Sequence, residues 1–458
     1  MSWGKAFLMI LVLSQCNGRE EGYMKEIQLT KGRYGHTLNS SQVFSSDDEW
    51  IFYDTRNDDT HIARTGSIEK VNLNTGDIVV VYRTGNQTIN GPGVGAVACH
   101  PKNGKIIFIH GLQNCDAQHP YGFTRRFGAI VDTNSGVLKH AEARCVRYPL
   151  VAGALRGGTH AHTWSGDGEW ISFTYNDFLM ESLQKITDGK VADLRTIGVM
   201  APANRVRISR EDEESFSGEY FSVVAATVRE TPTPGSDEID RAFDECWIGT
   251  NGYLRSNGTQ QKRAIAFQGN VRTSDSTTIT EVFVAEIPDD ITRDRTDNPV
   301  QGTEGTRPNV PAELVQRRLT FTSDRNFPGI QGPRYRLRTS PDGSLIYFLM
   351  KDSTGVVQLF SIPTIGGTER QLTHLEFPIQ SQFNVSPDGN TLSVVADNSI
   401  WTLDAGNGVA TRITARSDDD DAPVGGVLWS RNGKMLAYNR YVESSSGRYL
   451  QIFTIRLS

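Results

Sequence analysis

Groups that can transfer protons lie at both ends of one strand–turn–strand segment, LRGGTHAHTWSGDGEWISFTYND (155–177). Its first strand begins with His160 and His162, and its second strand ends with Tyr175 and Asn176. Because residues i and i+2 of a strand project to the same side, the two histidines are expected to point together. Imidazole and phenol groups act as general bases and acids, each contributing on the order of 10²–10⁴-fold to a rate. The segment is therefore a candidate active site.

Neighbouring segments add polar residues of the same kinds. His110 ends the second strand of the preceding segment, Arg156 precedes the histidine pair, and five of the nine histidines lie between 110 and 162. This concentration favours a functional site, although a histidine at a strand end also serves as a structural hydrogen-bonding group.

The elements that must position these residues form a repeat. Seven segments share an apolar strand, a Ser/Pro-Asp/Asn-Gly turn and a second apolar strand, and the turn glycines Gly343, Gly389 and Gly433 are 46 and 44 residues apart. This spacing is typical of a propeller blade. We predict an all-β, seven-bladed β-propeller with four antiparallel strands per blade. The N-terminal strand within 24–30 is predicted to join the C-terminal blade and close the ring.

This architecture predicts which residues share a face. The start of each first strand and the end of each second strand meet at one face, while the turn points to the opposite face. His110, His160, His162 and Tyr175 are therefore expected at one rim. Extra chain in 200–260 and 288–312 is predicted to form loops, which commonly carry binding surfaces.

The N-terminus predicts export. A charged Lys5 and a short apolar run precede Cys16, so residues 1–16 are interpreted as a signal peptide. The tetrapeptide ending at Cys16 resembles a lipoprotein cleavage box, in which Cys16 would be acylated. Residues 24–458 are then expected to form a single domain that is secreted, periplasmic or held at the outer membrane by a lipid.

Composition excludes some classes of partner. The net charge of −6 gives no basic surface typical of nucleic-acid binding. Membrane contact is expected only through a lipid anchor, and we expect a monomer. In an exported protein a bridge such as Cys115–Cys145 is permitted, with buried thiols as the alternative.

Three segments carry a family resemblance. The 155–177 segment, TPTPGSDEIDRAFDECWIG (231–249) and VQRRLTFTSDRNFPGIQG (315–332) resemble a bacterial propeller family that includes seven-bladed ulvan lyases and, more distantly, oligogalacturonate lyases. The resemblance implies a lyase that cleaves a uronic-acid-containing polysaccharide, with ulvan the favoured substrate. In this β-elimination a base removes the C5 proton, a cation neutralises the carboxylate, and an acid protonates the leaving O4.

The resemblance also implies roles for individual residues. His110 and Tyr175 would be the base and acid, in an order that stays open, while His160 and His162 would hold the carboxylate or bind a metal. The candidate substrate-binding residues are Arg156, Arg195, Arg205, Tyr220, Arg126 and Asn176. One of the first three would neutralise the carboxylate. Oligogalacturonate lyases use a metal held by histidines and a glutamine, but no glutamine can be placed here, which favours a mechanism that requires no cofactor.

Two other functions fit parts of the pattern. A non-catalytic periplasmic scaffold, resembling the propeller domain of TolB, would explain the repeat but not the concentration of histidines. A glycoside hydrolase would need two carboxyl groups facing one bond, for which Asp54 and Asp177 are the candidates.

Overall fold

The computed structural model describes residues 22–296, 298–333 and 336–457. The predicted signal peptide and Cys16 lie outside the described residues. The strands are β1 (Glu26–Gln28), β2 (Trp50–Asp54), β3 (Ser67–Asn72), β4 (Ile78–Arg83), β5 (Val94–Cys99), β6 (Lys105–Gly111), β7 (Arg126–Asp132), β8 (Leu138–His140), β9 (Ala143–Arg144), β10 (Ala154–Leu155), β11 (Gly157–Trp164), β12 (Ile171–Asp177), β13 (Thr196–Val206), β14 (Gly218–Val224), β15 (Ile239–Trp247), β16 (Tyr253–Leu254), β17 (Gln260–Gln261), β18 (Ala264–Arg272), β19 (Thr278–Glu286), β20 (Val315–Arg318), β21 (Arg338–Thr339), β22 (Leu345–Lys351), β23 (Val357–Pro363), β24 (Arg370–Gln371), β25 (Asn384–Val385), β26 (Thr391–Ala396), β27 (Ser399–Asp404), β28 (Ala410–Arg412), β29 (Val424–Trp429), β30 (Met435–Ser444) and β31 (Gly447–Arg456). One α-helix, α1 (Phe178–Ile186), and two 3-10 turns (Ile62–Arg64 and Asp419–Asp421) complete the elements of the described residues.

Seven antiparallel sheets form the blades of a β-propeller, as predicted. From the axis outwards they are β2-β3-β4, β5-β6-β7-β8, β11-β12-β13-β14, β15-β18-β19-β20, β21-β22-β23-β24, β25-β26-β27-β28 and β29-β30-β31-β1. In blade 1 the innermost position is taken by a segment that pairs with β2 through two isolated bridges, from Thr37 and Phe44. Strand β1 pairs with β31, with Ile27 opposite Thr454, so the first strand closes the ring.

The repeated turn has a common hydrogen-bond pattern. In blade 5, Ser340 donates from Oγ to Asp342 at 2.5 Å and accepts from the amide of Leu345 at 3.0 Å, and Gly343 adopts a φ of +75°. Ser386 and Ser430 make the same two kinds of bond in blades 6 and 7. The Ser-x-Asp/Asn-Gly pattern is thus a requirement of the hairpin rather than of chemistry.

The core lies between successive blades. Equivalent second strands of blades 2 to 5 each bury one phenylalanine completely: Phe108, Phe173, Phe267 and Phe348. Inner-strand tryptophans also link blades, because the indole of Trp247 in blade 4 donates to the carbonyl of Thr163 in blade 3 at 3.0 Å. These contacts fix the inner strands around the axis.

One expectation needs correction, and one alternative that the sequence left open is resolved. Residues 200–260 were expected to be loops, but much of this stretch forms β13 to β17, whereas no strand is described in 288–296 and 298–312. The four described cysteines are free thiols, so Cys115 and Cys145 are not bridged.

In the part of the chain that the structure describes, no helix has the length and apolar character needed to cross a membrane.

Candidate active site

A cavity of about 720 Å³ opens near the axis. Side chains from the inner parts of blades 1 to 5 line it, and five of them are arginines: Arg56, Arg126, Arg195, Arg241 and Arg336. Two aspartates, Asp59 and Asp244, also line it. The lining is therefore dominated by positive charge, which favours an anionic ligand.

Bulges in three neighbouring inner strands shape the cavity. Ala96, Ala161 and Asp244 each have a positive φ, between 51° and 59°, and each lies at a register shift in its blade. All three line the cavity. Non-glycine residues in this left-handed region cost on the order of 1–3 kcal/mol each, and such strain is concentrated at functional sites. The bulges redirect the side chains beside them.

One bulge is held by a buried ion pair. Arg56 donates from Nε and Nη2 to the two carboxylate oxygens of Asp54, at 2.6 and 2.8 Å. The amide of Ala96 donates to Oδ2 of the same carboxylate at 2.8 Å. Arg56 is therefore neutralised by the protein and supports the wall of the cavity.

Arg126 is a buried arginine of this lining whose charge is little compensated by the described residues. Arg126 is only 3% exposed. Its Nε and Nη2 atoms are buried and have no hydrogen-bond partner among the described residues. Nη1 donates to the phenol oxygen of Tyr121 at 3.1 Å, and Tyr121 also lines the cavity. A buried guanidinium with two unused donors costs free energy unless a ligand supplies acceptors.

Phe123 lies between two of the guanidinium groups. The guanidinium carbons of Arg126 and Arg195 lie 4.9 and 5.1 Å from its ring centroid. Phe123 is 60% exposed and lines the cavity. Arg195 is oriented by Asn176, whose Oδ1 accepts from Nε at 3.3 Å. Glycine at 158 is required here, since a Cβ would collide with the carbonyl of Phe123.

His160 is the histidine that the inner strands bring to this cavity beside the arginines. It is 9% exposed, and its Nδ1 has no hydrogen-bond partner within the described ranges. Burial, with the charges of Arg126 and Arg195, holds the pKa of His160 well below its usual value. The imidazole is therefore neutral at pH 7 and can accept a proton.

The predicted rim position of His110 and Tyr175 is wrong. His110 is fully buried, stacks on Phe127 with ring centroids 5.0 Å apart, and places Nε2 3.0 Å from the Tyr82 hydroxyl. The Tyr175 hydroxyl accepts from the amide of Arg156 and donates to Asp177 at 3.1 Å. Both side chains are buried between neighbouring blades, because the ends of the second strands direct them towards the adjacent blade and not towards the solvent-facing rim.

The histidine pair does not point into one space as predicted. The bulge at Ala161 interrupts the alternation of β11, so His160 lines the cavity while His162 is 1% exposed. Nε2 of His162 lies 2.9 Å from the hydroxyl of Thr159, which donates to Glu142 at 2.5 Å. Burial raises the pKa of Glu142 to about 7.

The other predicted ligand-binding residues divide between the cavity and the scaffold. Arg126 and Arg195 line the cavity, with Asn176 directly behind Arg195. Arg156 is fully buried and donates to Asp177 from Nε at 3.0 Å and from Nη2 at 2.7 Å. Two predicted residues, Arg205 and Tyr220, do not line this cavity.

The two carboxylates predicted for a glycoside hydrolase do not form a catalytic pair. Asp54 is held by Arg56 and Asp177 by Arg156, in different blades. Each carboxylate is buried against its own arginine, so the two do not face a common bond.

Sequence reasoning missed several cavity residues. Arg241, Arg336, Tyr121 and Phe123 lie before or within inner strands, or in the loop that precedes β7. The sequence signal that could have identified these residues is the recurrence of an arginine or aromatic residue on the cavity side of successive blades. Of the histidines singled out by their concentration, His160 lines the cavity, whereas His110 and His162 are buried.

No metal centre is formed by the described residues. Among residues 22–296, 298–333 and 336–457, no group of three His, Cys, Asp or Glu side chains is placed to hold a metal ion. His160 and His162, the predicted ligands for a metal, are separated by the bulge at Ala161.

A second cavity of about 360 Å³ opens on the face that carries the hairpin turns. Arg336 lines both cavities. Glu245 lines the second one and is 1% exposed, with Oε1 unpartnered in the described structure and Oε2 accepting from Thr174 at 2.8 Å. Burial raises the pKa of Glu245 to about 7.

Comparisons with known proteins agree with this architecture. The fold is similar to a solved oligogalacturonate lyase in complex with manganese, with a TM-score of 0.53, 12% sequence identity, and 96% of this chain and 94% of that chain covered. At that identity the likeness concerns the fold alone. Residues 93–216 match the family described as protein of unknown function DUF3748.

A full-length relative gives the family. The chain is 38% identical over 418 residues to the uncharacterized protein YidR of Escherichia coli (strain K12), which covers 90% of this chain and 94% of YidR. The protein belongs to the YidR family of β-propellers.

Proposed function

We propose that the protein is a polysaccharide lyase that cleaves a uronic-acid-containing substrate by β-elimination in the arginine-lined cavity. The observation that carries this proposal is Arg126, a buried guanidinium with Nε and Nη2 unpaired in the described structure. A carboxylate accepts from two guanidinium nitrogens in a planar, bidentate arrangement. A ligand carboxylate at Arg126 would therefore satisfy donors that the chain leaves unused.

The neighbouring aromatic ring favours a sugar as the carrier of that carboxylate. Phe123 offers an exposed ring beside Arg126, and rings of this kind provide apolar contact area for a bound molecule. The similarity in fold to an oligogalacturonate lyase supports the same class of substrate. Ulvan is one candidate within this class.

The chemistry follows from three side chains. Arg126 binds the uronate carboxylate and stabilises the negative charge that develops when the adjacent C5–H bond breaks. His160, neutral in the free protein, accepts that proton while the electron pair forms the C4–C5 double bond and the C4–O4 bond breaks. Tyr121, whose hydroxyl oxygen lies 3.1 Å from Arg126 Nη1, donates its proton to the leaving O4. Solvent then returns the proton from His160 to Tyr121.

Ligand binding would also prepare the base. In the free protein, burial and the charges of Arg126 and Arg195 oppose protonation of His160. A bound carboxylate compensates these charges and raises the pKa of the imidazole towards its usual value. The base therefore becomes more basic only when a substrate anion is present.

The test is release of unsaturated uronate from polygalacturonate, alginate and ulvan, followed at about 235 nm, where the new double bond absorbs. His160→Asn and Tyr121→Phe should each lower the rate on the order of 10²-fold or more. His119→Asn is the matched control because His119 is exposed and does not line the cavity. A chelator arm tests whether a divalent ion takes part, since the oligogalacturonate lyase was solved with manganese.

Two results would overturn the proposal. The first is the absence of absorbance change on all three polymers, combined with uronate binding that depends on Arg126, which would make the protein a binding module like the propeller of TolB. The second is full activity in His160→Asn. Export across the cytoplasmic membrane, with or without acylation of Cys16, accompanies this proposal and is tested by cell fractionation.

A further inference from the structure

A further cavity, of about 320 Å³, adjoins the arginine-lined cavity. Asn39 and Asp59 line both of them, so the two are parts of one groove. The further part extends towards blades 6 and 7, where Gln382 precedes β25 and Tyr441 lies in β30. We call this part the amide cavity.

Two amide side chains of the amide cavity have unused hydrogen-bonding groups. Asn39 and Gln382 are partly exposed, and neither makes a side-chain hydrogen bond to another described residue. Gln380, which also lines the cavity, differs because its Oε1 accepts from the main-chain amide of Asn398 at 2.9 Å and its Nε2 donates to the side chain of Asn398 at 3.2 Å. A free amide both donates to and accepts from hydroxyl groups. Asn39 and Gln382 are therefore suited to a polyhydroxylated ligand.

The charged groups of the amide cavity are opposite in sign to the guanidinium groups of the arginine-lined cavity. Asp58 and Asp59 contribute its carboxylates. Burial opposes ionisation of Asp58, but hydrogen bonds from the hydroxyl and amide of Thr60, both 2.7 Å long, outweigh it and hold the pKa of Asp58 below its usual value. This carboxylate is therefore ionised at pH 7. An anionic group bound beside it would meet like charge.

The proposed base lies where the two cavities meet. His160 lines the arginine-lined cavity. With Asn39 and Gln382 it also lines a narrow cavity of about 40 Å³, which shares residues with both larger cavities. A bond between a sugar held at Arg126 and a sugar held in the amide cavity would therefore lie near His160.

We propose that the amide cavity binds an uncharged sugar linked directly to the uronate held at Arg126. The inference rests on the proposed function and names its substrate class, a heteropolymer in which each uronate adjoins a neutral sugar. Hydroxyl groups of the neutral sugar bond to Asn39 and Gln382, and the ring of Tyr441 provides apolar contact area. A homopolymer of uronate would instead place a second carboxylate beside Asp58.

Calorimetry with two tetrasaccharides of equal length provides the test. One is tetragalacturonate and the other alternates galacturonate with rhamnose, a neutral sugar. The measurements use His160→Asn, in which the proposed base is removed and the ligands stay intact. The alternating tetrasaccharide should bind on the order of tenfold more tightly, because it gains hydrogen bonds to two amides and avoids the like charge. Equal affinities, or tighter binding of tetragalacturonate, overturn the inference.

Variants of the two amides test their contribution. Asn39→Ala and Gln382→Ala should each lower the affinity for the alternating tetrasaccharide about 3- to 10-fold, the loss expected for a hydrogen bond between neutral groups. Affinity for monomeric galacturonate, which occupies only the arginine-lined cavity, should stay unchanged and shows that the variants are folded. Asn134→Ala is the matched control, since Asn134 is exposed and lines neither cavity. Unchanged tetrasaccharide affinity in both amide variants contradicts the assignment.

Removal of the charge tests the discrimination against a second uronate. Asp58→Asn keeps an oxygen that accepts from Thr60, but it removes the negative charge. The ratio of the affinities for the two tetrasaccharides should therefore fall towards one. A ratio equal to that of the unaltered position contradicts the electrostatic part of the inference.

Binding and cleavage are measured separately, so the two proposals can fail independently. Preferential binding of the alternating tetrasaccharide, without any unsaturated product from the unaltered chain, would overturn the lyase proposal and keep the assignment of the amide cavity. Cleavage of polygalacturonate, together with equal affinities for the two tetrasaccharides, would keep the lyase proposal and overturn the assignment.

Discussion

Replacing Arg126 by methionine should weaken ligand binding and stabilise the free protein at the same time. Each hydrogen bond to a charged group contributes about 1.5–3 kcal/mol, so the two unused nitrogens of Arg126 would supply about 3–6 kcal/mol to a bound carboxylate. At about 1.4 kcal/mol per factor of ten, affinity for an oligogalacturonate should fall on the order of 10²–10⁴-fold. Without ligand, removal of an uncompensated buried cation should raise the free energy of unfolding by about 1 kcal/mol or more.

Arg144 provides the matched control for the stability measurement. It is as buried as Arg126, but its guanidinium donates to the carbonyls of Glu214, Thr124 and Gly157, at 2.9, 2.9 and 2.6 Å. Arg144→Met should therefore lower the free energy of unfolding, because these acceptors lose their donor. Urea denaturation gives the stabilities, and calorimetry with oligogalacturonate gives the affinities. If Arg126→Met destabilises the chain as much as Arg144→Met and leaves the affinity unchanged, Arg126 is structural and the reasoning fails.

Three further predictions concern the cavity, the bulge and the buried carboxyl group. Phe123→Ala should weaken oligogalacturonate binding by about 0.5–1.5 kcal/mol in calorimetry, while Phe321→Ala, an exposed ring beside Arg318 outside the cavity, should not. Ala161→Gly should keep or raise the denaturation midpoint because glycine tolerates the positive φ; a clear loss would show that the backbone there is unstrained. The pKa of Glu245 is raised to about 7, so the folded state holds its proton more tightly than the unfolded state. The stability of the unaltered chain relative to Glu245→Gln should therefore be highest below about pH 4.5 and fall by about 3 kcal/mol as pH rises to 7; parallel pH profiles of the two proteins would contradict this.

The fold could be predicted from the sequence because its signals are local and repeated. The turns at Gly343, Gly389 and Gly433 recur at a nearly constant interval, which gives the length of a blade. The spare strand around Ile27 supplies the strand that the last blade lacks. The strands within 200–260 differ from the predicted loops because the Ser-Asp-Gly turn that marks the other blades is absent between β13 and β15.

The candidate site was only partly predictable. His160, Arg126 and Arg195 were identified and do lie together, since all three line the same cavity. Whether His110 and Tyr175 are exposed or buried depends on the direction in which the end of a second strand points its side chains. The packing between blades decides this direction, and the sequence of one strand does not show it. A bulge such as that at Ala161 leaves no mark in the residue types, because alanine has no preference for a positive φ.

The pairing of β1 with β31 determines when the ring of blades can close during synthesis of the chain. Residues 26–28 leave the ribosome early, yet the strand they must bond to, 447–456, is made hundreds of residues later. Until then β1 has no strand to pair with, so blade 7 is incomplete and the ring of blades stays open. The final cooperative step of folding must therefore follow translation of nearly the entire chain, and the edge of β1 stays unpaired throughout that interval.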